Sequence, residues 1–393
     1  MKSKTLHRIQ FISSNAIRQV LVSVFSMAIP FIVIHFSSKS IWGSFVSPLL
    51  FSLLALQVIN WGNKEYLLRH FSMEPGKIMS QYSRNLFTRL PLVFIFSGIA
   101  FFCFPPVFGG WVFIWLLGRF AIHSAEALII YEKKFRASIA IELAGFLLFC
   151  GAFAILKNDL TVLLVLILYS AYQFIKGIAY LLLFRNFLDF GSLKFDFTYY
   201  LMALPFFLLS ILGFLASKVD VYLIENIGDK IVTSDYQIIN SLLVFTMSLS
   251  AFIYAPFTKN IYRNNAAVVK KTKQLLVLSG LVIVPVSLLI IAAILHFYLR
   301  LEFSAAFYII ALGYVFPSFV YGIEIVNLFR QKKEKTVVLI LFLGAAANTV
   351  LSAAFLYFGH GIYGALGGAA IAQIFVLFLF KLNSHFEKQN HPI

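Results

Sequence analysis

The chain has 393 residues, of which 61% are hydrophobic and 12% charged, with a mean hydropathy of +0.89. Soluble domains carry about 25% charged residues, so a soluble globular protein is excluded and an all-α polytopic membrane protein is predicted. A net charge of +16 would suggest nucleic acid as the partner of a soluble protein; here the basic residues are spread over the loops between apolar runs, and no nucleic-acid partner is expected. Cys103 and Cys150 both fall in apolar runs, which leaves no basis for a disulfide framework or a thiolate metal site.

The first residues, Met1 to Gln10, are basic and precede an apolar run, but no small-residue cleavage site follows. They are read as part of a retained first helix. Apolar runs follow near residues 15–36, 42–61, 86–104, 110–130, 137–156, 160–184, 197–224, 232–257, 275–298, 303–329, 336–358 and 361–381. Each is close to the roughly 20 residues that cross a bilayer. Their polar residues recur at helical rather than alternating spacing, which predicts a helical bundle and not a barrel.

Most Lys and Arg residues sit in alternate loops: Lys2, Lys4, Arg8 and Arg18, then Lys64 to Arg89, Lys133 to Arg136, Arg185 and Lys194, Lys259 to Lys273, Arg330 to Lys335, and Lys381 and Lys388. The other side carries Lys39, Lys157, Lys230 and Arg300. This asymmetry is the positive-inside pattern and puts both termini in the cytoplasm. It also lays a basic surface against the anionic inner leaflet. The longest extramembrane segment, Asn63 to Arg84, is read as cytoplasmic and amphipathic.

Several features recur at a common offset. Glu126 and Glu324 each lie near the cytoplasmic end of a run, Glu132-Lys133-Lys134 is echoed by Lys332-Lys333-Glu334, and Arg185, Asn186 and Tyr66 are matched by Lys381, Asn383 and Tyr262. Two parallel lobes of six helices follow, residues 1–193 and 194–393, with a substrate site expected between them.

The polar residues within the runs are candidates for a path. Lys218 and Asp220 interrupt an otherwise apolar run. A charge at the bilayer centre costs roughly 2.5–3.5 kcal/mol, and residues two apart do not face each other on a helix. Each therefore needs a partner on another helix or a water-filled cavity, so the pair is either structural or the lining of a polar path. Arg119, His123 and Glu126 share one helix face. Arg119 and Glu126 are about 10.5 Å apart along the axis, too far for easy pairing, and His123 titrates near neutrality and could carry a proton. The alternative is three separate interhelical hydrogen bonds. Gln57, Asn60 and Lys64 form a second polar stripe, and Gln237, Asn240 and Ser241 a third. Asn348, beside Ala345 to Ala347, reads more as interhelical glue than as a ligand. Lys176 is read as structural and snorkelling, and Glu142 as a helix N-terminal acid. No P-loop or H-E-x-x-H motif is present, so no cofactor is expected, and an ion gradient or the substrate's own gradient would supply the energy.

The whole pattern resembles a polysaccharide-export flippase, of the O-antigen or capsular repeat-unit kind, in the multidrug/oligosaccharidyl-lipid/polysaccharide (MOP) superfamily. The resemblance rests on Trp42-Gly43-Ser44-Phe45, on Lys218 to Asp220 followed by Tyr222, Gly228 and Tyr236, and on Pro256 with Lys259 to Arg263. It also rests on Arg330 to Lys335, Asn348, and Gly361-Ile362-Tyr363-Gly364-Ala365. It implies the MATE-like/MOP flippase fold of about twelve transmembrane helices, in the inner membrane of a bacterial cell. It further implies flipping of an isoprenoid-diphosphate-linked oligosaccharide from the inner to the outer leaflet by alternating access, not enzyme catalysis. On this reading Arg18, Lys64, Arg119 and Lys218 would meet the diphosphate, since cations suit phosphate oxygens. His123, Glu126, Asp220 and Glu324 would relay charge, and Gln57, Asn60, Gln237, Asn240 and Asn348 would line the path. Partners implied are membrane lipids, an H+ or Na+ gradient, and polysaccharide polymerase or export machinery. Alternatives are an ion-coupled small-molecule or drug antiporter of the same superfamily, whose first-helix acid is replaced here by Arg18, and a membrane polysaccharide polymerase or glycosyltransferase, for which outer-loop carboxylates are scarce. A peptidoglycan-precursor flippase usually has two further helices, and a major-facilitator transporter should carry a Gly-Asp-Arg-Gly-Arg-like loop that Gly62 to Arg89 lacks.

Overall fold

The computed structural model describes residues 2–157, 159–254, 261 and 266–390, with side chains over 14–157, 159–254, 261 and 269–384. Pro256, Lys259, Tyr262 and Arg263, and the side chains of Lys2, Lys4, Arg8 and Lys388, lie outside the described residues. Every regular element among the described residues is helical: α1 Lys2–Phe36, α2 Lys39–Asn60, α3 Asn63–Met73, α4 Ile78–Cys103, α5 Pro106–Tyr131, α6 Phe135–Ile155 and α7 Val162–Leu183, followed by α8 Phe197–Ile227, α9 Lys230–Tyr254, α10 Ala266–Ala293, α11 Ala305–Arg330, α12 Glu334–Tyr357 and α13 Gly361–Asn390. Twelve of the described segments are long and apolar enough to cross a membrane, which matches the twelve apolar runs. The protein is a multi-pass membrane protein.

Local sequence sets the helix ends. The Ser38 hydroxyl accepts from Ile41 N at 3.3 Å and caps α2. Thr161 caps α7 through Leu164 N at 3.2 Å. Between α2 and α3 the chain turns through Trp61 and Gly62, with φ of 41° and 66°. A Cβ at Gly62 would lie 2.6 Å from Phe206 Cβ, so both the turn and the close approach of α8 require glycine there.

The chain divides into two compact units, Met1–Ile211 and Leu212–Ile393. The division falls inside α8, not in the loop at 193/194 where the sequence pattern places it. The reason lies in the first half of α8. Tyr199 donates its hydroxyl to Trp61 O at 2.9 Å, Trp61 Nε1 donates to Tyr200 O at 2.9 Å, and the Tyr200 hydroxyl donates to Thr88 O at 2.7 Å. The Trp61 indole also stacks on Phe207 at 3.9 Å. These bonds tie the helix start to α2 and α4.

In the first unit, α5 and α7 cross at glycines. A Cβ at Gly118 would lie 2.6 Å from Gln173 O, and one at Gly177 would lie 2.6 Å from Gly118 O, the close backbone approach that small residues permit. A buried core at the basic-loop end joins Leu67 and Phe71 of α3, Tyr82 of α4, Leu128 of α5, Tyr180 of α7 and Tyr199 of α8. The Asn63 to Arg84 segment, read from sequence as amphipathic, contributes to this core: α3 buries Tyr66, Leu67 and Phe71 and exposes Glu65 and Arg69.

In the second unit, Asn348 Nδ2 donates to Ala216 O at 3.1 Å, linking α12 to α8. The Ser352 hydroxyl donates to Asn348 Oδ1 at 2.8 Å and bonds Ala365 O of α13 at 3.0 Å. Gly368 lies against the Ser352 backbone and Gly344 against Val376. Asn348 thus holds helices together at a small-residue crossing.

Candidate functional site

In the first unit the charged groups gather around α5. His123 Nδ1 and Glu126 Oε1 are 3.0 Å apart, with side chains 20% and 26% exposed. Helical spacing of three brings them together on one face. Asn63, at the start of α3, donates from Nδ2 to His123 O at 3.2 Å and fixes α3 beside them. Lys64 follows on α3, and Arg18 comes from α1; both act electrostatically on the Glu126 carboxylate. Arg119, one turn before His123, acts on the imidazole in the same way. The structure therefore assembles Arg18, Lys64, Arg119, His123 and Glu126 from α1, α3 and α5. Among the described residues Arg119 and Lys64 have no hydrogen-bond or ion-pair partner, and Arg18, 8% exposed, leaves Nε without one. The cluster holds three cations against one carboxylate, and that carboxylate is engaged by histidine.

Sequence reasoning missed a fourth cation. Arg89, grouped with a basic loop by its place in the sequence, is fully buried within α4. Its Nε donates to Asn85 Oδ1 at 3.0 Å. Its guanidinium also donates to the Ser124 hydroxyl at 2.7 Å and to Ile59 O at 3.4 Å, and lies 5.0 Å from the centroid of the Phe120 ring. All these partners are neutral. The spacing of Asn85 and Arg89, four apart on one helix face, was the available signal. Arg18, likewise grouped with the loops, is buried in the first span.

A second correction concerns Lys176 and Glu142. Lys176 does not snorkel, and Glu142 is not at the start of its helix. Nζ lies 2.7 Å from Glu142 Oε2, and both side chains are 4% exposed. Tyr180 donates to Glu142 Oε1 at 3.0 Å, and Nζ donates to the Tyr172 hydroxyl at 3.1 Å. Desolvated, matched and fully bonded, this pair is structural cement between α6 and α7.

In the first unit's second helix, Gln57 Oε1 accepts from the Ser210 hydroxyl at 2.7 Å. Asn60 offers its carbonyl to Tyr199 at 3.3 Å, while its buried Oδ1 has no partner.

In the second unit one asparagine joins Lys218 and Asp220 of α8. Lys218 Nζ donates to Asn240 Oδ1 at 2.6 Å. Asn240 Nδ2 donates to Asp220 Oδ2 at 3.2 Å and to Ser217 O at 3.0 Å. The Tyr236 hydroxyl also donates to Asp220 Oδ2, while Asp220 Oδ1 is buried without a partner. Lys218 and Asp220 thus take these partners from α9. Gln237 Nε2 donates to the Ser241 hydroxyl at 3.0 Å on the same helix. Glu324 does not join these bonds; it pairs with Lys273 of α10. Lys218 and Glu324 are therefore engaged, whereas Arg119 is not. Among the described residues no group of three or more His, Cys, Asp or Glu is placed to hold a metal ion.

No protein-family model matches the sequence, and no curated protein matches it. Solved structures do match over nearly the full length. An inward-facing multidrug resistance MATE family transporter of the MOP superfamily aligns with a TM-score of 0.63 and 10% identity, covering 94% of this chain and 95% of the other. The MATE multidrug transporter DinF-BH aligns at 0.66 and 12%, covering 96% of each. A mutant of the Vibrio cholerae MATE transporter VcmN aligns at 0.61 and 13%, covering 98% and 97%. The chain has the twelve-helix fold of these transporters.

Proposed function

We propose that this protein is a transporter that flips an isoprenoid-diphosphate-linked oligosaccharide across the bacterial inner membrane, with both termini cytoplasmic. The observation that carries the reading is the charge balance of the first unit. Arg18, Lys64 and Arg119 stand in spans of the bundle with Glu126 as the neighbouring carboxylate, and Glu126 is bonded to His123. Cations inside a membrane protein face a bundle interior or a water-filled path and need counter-charge. A diphosphate would supply that charge during each cycle. Because no described side chain holds Arg119, it is free to turn toward an arriving anion, and its planar fork suits phosphate oxygens. The Glu126 carboxylate would compete for the cations once the lipid has left, and His123 could exchange a proton with the path. The polar side chains Gln57 and Asn60 would line the approach. Transport would proceed by alternating access of two six-helix lobes.

A second reading, ion-coupled antiport of a small molecule, draws on the fold shared with multidrug transporters. It places the coupling acid at Asp220, whose Oδ1 is buried without a partner. The two readings differ in the sign of the substrate's charge. Arg119→Leu should abolish flipping of a diphosphate-linked lipid in proteoliposomes, Arg119→Lys should recover part of it, and both should insert normally. Full transport by Arg119→Leu would refute the role, because leucine keeps bulk and removes every donor.

A further inference from the structure

A second polar site lies apart from the charged cluster, at the basic-loop end of the first unit. It is a cavity of about 190 Å³ whose lining includes Tyr66, His70, Arg84, Asn85, Thr88 and Asp196. None of Arg18, Lys64, Arg119, His123 or Glu126 lines it. Asn85, 4% exposed, lines the cavity and through Oδ1 holds the buried Arg89 guanidinium, which is not itself part of the lining. Arg84, 47% exposed, supplies the cavity's cation and pairs loosely with Asp196 Oδ2 at 3.9 Å, beyond hydrogen-bond distance. Asp196 turns its other oxygen, Oδ1, to Thr198 N at 3.0 Å at the start of α8. The His70 ring donates from Nδ1 to Tyr66 O at 3.1 Å, so Nε2 donates to an anionic ligand in the protonated ring. The cavity thus offers a guanidinium, an imidazole and a phenol around one space.

What adjoins it is equally particular. The segment between α7 and α8 is strapped to α4, where the Ser83 hydroxyl accepts from Asp189 N at 2.7 Å and the Thr88 hydroxyl from Asp196 N at 3.0 Å. Held there, it presents Phe190, Phe195, Phe197 and Leu201 outward, each at least half exposed. Met202, 51% exposed, belongs both to this apolar surface and to the cavity lining. Lys194 and Arg185 are exposed on the same strap. In a membrane protein, exposed aromatic residues beside basic ones at a helix end mark the bilayer interface. A polar cavity that holds Arg84 and shares Met202 with such a surface matches a molecule with an anionic head and apolar chains.

We propose that this cavity binds the phosphate headgroup of an anionic phospholipid, with Arg84 and His70 on the phosphate and the acyl chains against Met202 and the phenylalanines of the strap. The site is separate from the proposed transport site, and its test requires no transport. Full-length protein, stripped of lipid in neutral detergent, is offered equimolar short-chain phosphatidylglycerol and phosphatidylcholine, or inorganic phosphate alone, and bound species are counted by native mass spectrometry. Phosphatidylglycerol should be retained in preference to phosphatidylcholine. Arg84→Gln should weaken its retention roughly tenfold, about the loss of one charge-assisted hydrogen bond, and Arg84→Lys should recover most of it. Phe195→Ser with Phe197→Ser should weaken retention with Arg84 in place. Equal retention of the two lipids, or an Arg84→Gln protein that still selects phosphatidylglycerol, would overturn the proposal. So would inorganic phosphate that binds as tightly as the lipid and displaces it, which would make the site one for free phosphate.

Discussion

Removing the carboxylate of Glu142 while keeping its shape should destabilise the first unit by about 3 kcal/mol, at the low end of the roughly 3–5 kcal/mol lost when one partner of a buried ion pair is removed. Both side chains are 4% exposed, and the ammonium is 2.7 Å from the carboxylate. The surviving charge would lose its counter-ion without regaining water. Glu142→Gln belongs at the low end, since the Tyr172 hydroxyl still accepts from Lys176 Nζ at 3.1 Å and the amide oxygen can accept as well. Lys176→Met should cost less, because a buried carboxyl can take up a proton and remain bonded to Tyr180. The double change Glu142→Leu with Lys176→Met should return to within about 1 kcal/mol of the parent, as apolar replacement of a whole buried pair is often neutral. Reversible unfolding in mixed micelles, followed by tryptophan fluorescence, measures all three. A Glu142→Gln protein as stable as the parent, or a double variant no better than the single one, would contradict this expectation. Either result would mean that water or another anion reaches Lys176, and that the pair belongs with the candidate site instead of the scaffold.

Gly118→Val should weaken the α5–α7 crossing more than any isolated cavity would, since even a Cβ would lie 2.6 Å from Gln173 O; the unfolding assay should show a loss of about 3 kcal/mol or failure to accumulate in the membrane. Gly151→Val, where a Cβ meets nothing within 4 Å, is the matched control and should stay within about 0.5 kcal/mol of the parent. For orientation, in a protein carrying Cys103→Ser and Cys150→Ser, an impermeant thiol reagent added to intact cells should label a cysteine placed at Ser38 and spare one placed at Lys333. The reverse pattern would invert the topology drawn from the basic loops.

The spans were legible because burial in a bilayer demands long apolar runs, a signal that needs no tertiary information. The α5 stripe was legible for a related reason: residues three and four apart must share a face, and His123 and Glu126 meet on that account. What escaped depended on contacts between distant segments. Apart from its spacing of four from Asn85, nothing local distinguishes Arg89 from the basic residues before it; its burial is fixed by Ser124 and Ile59, on helices that the sequence does not place beside it. Lys176 and Glu142 needed α6 and α7 to be packed before they could be recognised as a pair. The division inside α8 arises because Trp61, held in a left-handed turn, bonds and stacks on the start of that helix. An apolar run carries no mark of such a switch. Lys218 and Asp220 visibly need partners elsewhere; that one residue, Asn240, would serve both could be known only once α9 lay alongside.

The charge of the substrate is the central claim, and flipping in defined liposomes tests it most directly. Purified protein reconstituted with a fluorescent isoprenoid-diphosphate-linked oligosaccharide on one leaflet should move it to the other faster than protein-free vesicles, with the gain lost in Arg119→Leu. Under the same conditions a cationic dye such as ethidium should not be transported. Movement of the dye against an ion gradient, with no acceleration of the lipid-linked sugar and no dependence on Arg119, would contradict the anionic-substrate reading and favour antiport.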